Sequence, residues 1–477
     1  GLNSRTHSRR RTRAPGACTD AVQPQPKLAG TTGRITRVTP TPAAGRAYSF
    51  IMSRQHRKSA GTRGARLRAL FFLGLSLLTL RASFVRSDWA FDLVADGIAA
   101  PHAFALARWE VDTLMAKVRD TVRSPLAGMD DADQASLVRA YFSNNQRIRD
   151  LERTITAALS QNEPPGADVQ ALNAEIASLR RQQAYWRPIA EAAIEQQVAA
   201  VLSTEQLLTA DTLWPPVRFS FTEPPLYLVV SPRNQISRRY GAYLQPDTPL
   251  TTWSSLEDEV ERQGEVAALV EGIGGFSTWP TMVLNDAPLD WVLSTVAHEW
   301  MHTYLVFHPL GWHYFDNGDL TTINETVASI AGDEIGAQVL ARFYAEPPTA
   351  SGPSPPAPST PPAAPTPAPF NFGAEMRSTR LAVDALLASG RVAAAEAFME
   401  ARRQRFVAAG YNLRKLNQAY FAFHGSYATG VGAVDPIGLQ LQQLRRQSPS
   451  LAAFVWTVQR FDSRDDLETA SPAPALK

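Results

Sequence analysis

The sequence predicts an α+β fold that is mainly helical. Three observations predict it: two long heptad-like apolar stretches between 137 and 194, short runs of β-formers at 216–231 and 277–284, and renewed helical sequence from 286 onward. Composition agrees, with 44% hydrophobic and 19% charged residues among 477, enough for two or three cores of ordinary domain size.

The chain opens on Gly1, and residues 1–68 form a basic leader with 15 Lys and Arg against one acid, Asp20. The whole chain has 47 and 45, so everything after the leader is acidic, which does not suit a nucleic-acid binder. Residues 1–51 show no apolar periodicity and are expected to be disordered, with Met52 as the start of translation. From Met52 a basic stretch runs into ALFFLGLSLLTL (69–80), the layout of an export signal. Residues 69–85 are a signal peptide or a membrane anchor, and both readings stand. The run spans only about 18 Å as a helix, yet no small-x-small cleavage site follows it. A positive flank stays inside, so the later part of the chain is expected outside the cytoplasm, membrane-anchored or secreted. The only cysteine, Cys18, excludes an intramolecular disulfide, a Cys-rich zinc knuckle and a Cys–His protease.

Residues 103–210 form the helical hairpin region. A helix over 103–124 ends before Pro125. Leu137, Tyr141, Ile148, Leu151 and Ile155 then pair with Val169, Leu172, Ile176, Leu179, Trp186, Ala190 and Ile194 across the helix-breaking QNEPPGAD. This antiparallel, coiled-coil-like hairpin is expected to pack against or space the next region, or to contact a partner. In the region 211–345, PVRFSFTEPPLYLVVS (216–231) holds strands split by Pro-Pro, and STWPTMVL (277–284) follows Gly274-Gly275. Residues 346–370 are a Pro/Ala/Ser-rich insert unable to bury a core, and 371–465 form a C-terminal helical lobe.

The chemistry gathers at STVAHEWMHTYLVFHPLGWH (294–313), which holds four of the eight histidines. Asn285 or Asp286 as cap and Pro288 in the first turn mark a helix start. On that helix His298 and His302 are one turn apart, so both imidazoles share a face and can bind one zinc ion. Glu299 is next to the first of them, placed to act as general base on a water molecule. His-Glu-Trp-Met-His is the HExxH signature of zinc metallopeptidases.

Two residues compete as third ligand. His308 stands at the metzincin spacing, but that pattern needs Gly at 305, and here Leu305 favours continuing the helix, which turns His308 away. The other is Glu325, in the helical DLTTINETVASIAGDEIGAQVLARFY, 23 residues after His302. HExxH, a loop and a helix bearing Asn324-Glu325 together resemble the gluzincin peptidases over residues 275–345. The resemblance implies a zincin-like catalytic region at 211–345 with zinc held by His298, His302 and Glu325, and Glu299 as base. Family members often carry an Asp three or four residues after the ligand Glu; Ala328 and Ser329 stand there, so Ser329 or Asp333 would orient the first histidine. No Gly-x-Met-Glu-Asn element is present, which leaves exo- and endo-cleavage open. Thr322-Ile-Asn-Glu325 also fits a capping box, and Glu334 is a further ligand candidate.

In such peptidases a Tyr or His of a C-terminal lobe stabilises the oxyanion, which points to His424 and Tyr427 in LNQAYFAFHGSYATG. The strand 277–284 is a candidate edge for an extended substrate. The sequence thus reads as an exported zinc peptidase acting on peptides or proteins, tethered through its N-terminal segment. The alternatives are a metzincin-like site using His308, or an inactive zincin-fold scaffold. Phosphate loops, serine elbows and nucleotide fingerprints are absent.

Overall fold

The structure, a computed structural model, describes residues 89–471 apart from 124, 161–166, 209–210, 346–369, 426–427 and 429–433. The leader, the 69–85 segment, the Pro-rich stretch 346–369 and Tyr427 lie outside the described residues. Among the described residues, no helix is long and apolar enough to cross a membrane. The fold is mainly helical, with two small three-stranded sheets.

Helix α1 (Trp89–Ala99) leads through a 3-10 turn into α2 (Leu106–Arg123), which starts three residues later than the sequence predicts because Ala103 bridges to Leu244. The hairpin is α3 (Asp131–Ser160) and α4 (Ala167–Thr204). Near their connection the two helices meet through Ile148, Leu151 and Ile176, with Ile155, Leu172 and Leu179 alongside, positions the heptad spacing marks. Toward the other end, Ala190, Ala193, Ile194, Val198, Val201 and Leu202 of α4 enter the largest core of the protein. The hairpin is therefore built into that core and is not a free spacer.

Strands β1 (Phe219–Thr222) and β2 (Leu226–Pro232) are separated at Glu223-Pro224-Pro225, where proline removes ladder donors. Strand β3 (Tyr240–Leu244), helix α5 (Leu250–Glu261) and β4 (Val266–Gly272) follow, then β5 (Gly275–Phe276) and β6 (Thr281–Leu284). One sheet is antiparallel, in the order β3-β2-β4; the other runs β1-β6-β5, with β1 and β6 parallel and β5 antiparallel to β6. β6 is thus a central strand, paired on both sides, and the edge proposed for 277–284 belongs to β5.

Both sheets are closed at one side by a pair of glutamates four apart on a helix. Glu195 and Glu191 of α4 accept from Phe219 N and Phe221 N of β1 at 3.0 and 2.8 Å. Lys117 bonds both, at 2.8 and 2.6 Å, and Arg218 adds a second positive charge 3.0 Å from Glu195. Glu261 and Glu257 of α5 accept in the same way from Ala268 N and Val270 N of β4 at 2.8 and 2.6 Å, with Arg414 and Lys415 as counter-charges. Outward N–H groups at i and i+2 of a strand match carboxylates one helical turn apart.

Helix α6 (Leu289–Leu305) carries the HEWMH motif, α7 (Pro309–Trp312) is one turn, and α8 (Gly318–Phe343) carries Glu325. Val292, Leu293, Val296, Met301 and Leu305 of α6 are buried, each contributing about 1.5–3 kcal/mol of transfer energy against the core. The remaining helices are α9 (Phe372–Ala388), α10 (Val392–Ala408), α11 (Gln418–His424), α12 (Ile437–Gln447), α13 (Leu451–Val458) and α14 (Arg464–Ala470). They divide between two cores. Met376, Met399, Phe406 and Phe421 pack with Val229 and Leu269 of the antiparallel sheet, while Leu441, Phe454, Val458 and Leu467 join the core of α6 and α8.

Candidate metal centre

Helices α6 and α8 approach closely because α8 has no side chain at two points of contact. A Cβ at Gly332 would come within 2.8 Å of Ser294 O and 2.9 Å of His298 Cβ, and one at Gly336 within 2.5 Å of Ser294 Oγ. The helix starts at Gly318, with Asn317 Oδ1 accepting from Leu320 N at 2.9 Å. Glu325, the eighth residue of the helix, therefore lies past its second turn and caps nothing, against the capping-box reading of Thr322–Glu325.

This packing brings His298, His302 and Glu325 together, with one potential ligand atom of each inside a 4.8 Å span. The Nε2 atoms of His298 and His302 are 3.0 Å apart, and Glu325 Oε2 stands 3.6 and 3.4 Å from them. Glu325 is buried, and Tyr314 donates its hydroxyl to Oε1. Oε2 has no hydrogen-bond partner. A buried carboxylate oxygen facing two imidazole nitrogens needs a positive charge beside it, which a proton on an imidazole or a metal ion held by all three can supply. The donor set, two imidazoles and a carboxylate, suits a divalent ion of zinc's type.

The outer contacts orient the histidines. Asn324 Nδ2 donates to Leu310 O at 3.2 Å, which fixes its amide so that Oδ1 faces His302 Nδ1 at 2.7 Å. Nδ1 must then carry the proton, leaving the Nε2 lone pair for a ligand. Ser329 gives its proton to Glu325 O at 2.9 Å, and its oxygen lies 3.4 Å from His298 Nδ1. Ser329 thus takes the orienting place, and Asp333, one turn on, is exposed. Burial opposes a charge on His302, but Glu325 and then Glu299 outweigh it and hold the imidazole up at about 9. Glu325 is likewise held well below the carboxylate range by His302 and His298, in spite of its burial.

Glu299 is buried beside the trio, fixed by Ser277, whose hydroxyl donates to Oε2 at 2.6 Å. Gly275 of β5 makes room for it, since a Cβ there would come within 2.4 Å of Glu299 Oε1.

The other candidates fall elsewhere. His308 follows the end of α6, its ring tilted 40° against Tyr304 at 4.6 Å, because Leu305 is buried and continues the helix. Glu334 is held by Arg445 through two 2.8 Å hydrogen bonds. His424 lies against Tyr420 and Phe423, 4.2 and 5.0 Å between ring centres, and burial pushes its imidazole down to about 4. Among the described residues it makes no hydrogen bond to the trio or to Glu299. Tyr314 and Ser277 are the residues the sequence did not single out. Tyr314 and Ser277 lie in GWHYFDN and GGFSTW, beside the motif and the Gly pair already marked. No family model, curated protein or solved structure matches the chain.

Proposed function

We propose that this is a zinc-dependent peptidase of gluzincin type, with a zincin-like catalytic region, exported and tethered through its N-terminal segment. One observation carries the reading: Glu325 Oε2, buried and unpartnered, faces the Nε2 atoms of His298 and His302 while Glu299 stands alongside. His298, His302 and Glu325 would hold the ion. Zinc supplies a Lewis acid that polarises a carbonyl and acidifies water.

The chain's own residues do the rest. Ser277 holds Oε2 of Glu299, so Oε1 is the oxygen that takes a proton from water as its oxygen adds to the carbonyl carbon. As the C–N bond breaks, Glu299 returns that proton to the leaving nitrogen, and the remaining proton of the new carboxyl group passes to the amine, so that a carboxylate and an ammonium are the products. Asn324 and Ser329 keep the two imidazoles turned toward the ion. An inactive scaffold would have no need for a base held in this way.

The test is metal content and peptide cleavage of residues 84–477, with Glu325→Ala, His308→Ala and Glu299→Gln variants. About one zinc per chain, lost with Glu325→Ala and kept with His308→Ala, together with cleavage of a peptide library lost in Glu299→Gln, is the expected result. Zinc retained by Glu325→Ala overturns the ligand set; cleavage unaffected by Glu299→Gln overturns the mechanism.

A further inference from the structure

Beyond the trio, one wall of the site is made of tyrosines. Tyr227 of β2 and Tyr243 of β3 are opposite each other in the ladder, with ring centres 4.9 Å apart. Tyr243 also meets Phe276 of β5 at 4.4 Å, next in sequence to Ser277, which holds Glu299. Tyr314 completes the wall, bound to Glu325 and edge-on to His302 at 6.1 Å. The Tyr227 ring lies flat along β3: a Cβ at Gly241 would stand 2.0 Å from its hydroxyl oxygen. That hydroxyl points toward the start of β3, where Arg238 sits.

The loop that carries Arg238 is pinned. Ser231 Oγ donates to Gln235 O at 3.1 Å and accepts from Ser237 N at 3.2 Å, and Arg239 N donates to Val230 O at 2.8 Å. Arg239 turns to the opposite face, its guanidinium 4.1 Å above the Phe91 ring. The Arg238 side chain is exposed to water, with Tyr227, Tyr314, Tyr243 and Glu325 near enough to act on its charge. Burial works against its charge, and Tyr227, Tyr314, Tyr243 and Glu325 outweigh that. Among the described residues it makes no hydrogen bond or ion pair. A guanidinium on a pinned loop, with no hydrogen bond or ion pair of its own, beside a tyrosine wall that reaches Glu325, is suited to receive a planar anion through two parallel hydrogen bonds.

We infer that Arg238 docks a carboxylate of the substrate, with the Tyr227 hydroxyl beside it, and so sets the substrate class of the site proposed above. The carboxylate comes either from the peptide's C-terminus or from an Asp or Glu side chain. The inference rests on the peptidase reading for its meaning but not for its test, which reads binding alone.

Three acetylated fluorescent peptides of one sequence serve as probes: one with a free C-terminal carboxylate, one amidated, and one amidated with an internal Glu. Their affinities are measured by anisotropy on zinc-loaded Glu299→Gln protein, and again with Arg238→Ala or Arg238→Lys added. One carboxylate-bearing probe is expected to bind about 10- to 100-fold tighter than the neutral one. Arg238→Ala should remove that difference without changing the neutral probe, and Arg238→Lys should restore part of it. Preference for the free terminus identifies an exopeptidase subsite, and preference for the internal Glu an acidic-residue subsite. Equal binding of all three, or a preference that survives Arg238→Ala, overturns the inference. Hydrolysis by the wild-type protein is scored separately: discrimination without cleavage refutes the peptidase and keeps the carboxylate site, and cleavage without discrimination does the reverse.

Discussion

Replacing Gly275 with alanine isolates the placement of Glu299 from everything else in the site. Gly275 has no left-handed backbone to preserve, so the only effect of the added methyl is spatial. Its Cβ would lie 2.4 Å from Glu299 Oε1 and 3.0 Å from both Cδ and Cγ. Relief to ordinary contact requires the carboxylate to move by about 1 Å, which the end of a side chain can do without unfolding the helix. The 2.6 Å bond from Ser277 cannot survive such a move unchanged. A misplacement of about 1 Å in a catalytic group costs on the order of 10²-fold in rate, whereas the loss of one hydrogen bond costs about 1 kcal/mol of stability. Gly275→Ala should therefore lower kcat/KM for peptide cleavage about 100-fold with zinc content unchanged, and urea unfolding should report a loss near 1 kcal/mol. Undiminished cleavage in a folded, zinc-loaded Gly275→Ala protein would refute the role given to Glu299. A large fall in stability would show instead that Gly275 serves the fold.

Two further outcomes follow from the charges. Because the His302 imidazole is held up at about 9 beside Glu325, a metal must displace a proton to bind, so apparent zinc affinity should fall about tenfold per unit as pH drops from 8 to 6. Calorimetric titration in buffers of different ionisation heat checks this, and a pH-independent affinity contradicts it. Lys117→Met strips the counter-charge from Glu191 and Glu195, whose side chains are only 4% and 7% exposed; the expected loss is about 3–5 kcal/mol by urea unfolding, and a loss under about 1 kcal/mol would mean that Arg218 alone suffices.

What the sequence displays and what it conceals divide along a physical line. The HEWMH helix is legible because its two histidines interact within one turn, and Leu305 in place of glycine already argues that the turn continues. The hairpin is legible from heptads, and the break between β1 and β2 from two prolines. No element between 232 and 276 is legible in the same way, although β3, α5 and β4 form there. YGAYL is short and low in β-formers, and β4 is held by contacts with β2 and the carboxylates of α5, which are tertiary. Tyr243, Tyr314 and Ser277 come to the site from three separate segments, so no spacing announces them. His424 was drawn from an expectation about C-terminal lobes; its helix instead packs on the sheet through Tyr227, whose ring centre lies 6.0 Å from that of Phe423.

The glutamate pairs on α4 and α5 have a consequence for which chains this protein can accept. A strand edge is a template on which any extended polypeptide can add itself, in aggregation as readily as in recognition. On β1 and β4 that template is erased by carboxylates, and along β3 the segment around Phe104 covers it, with Phe104 N bonded to Tyr243 O at 2.9 Å. Among the described residues the outer side of β5 has no such cover, and it is two residues long and backs onto Glu299. Self-association by strand exchange is thereby blocked along the long edges, and the short edge left open is the one beside Glu299, where the proposed peptidase would need an extended substrate.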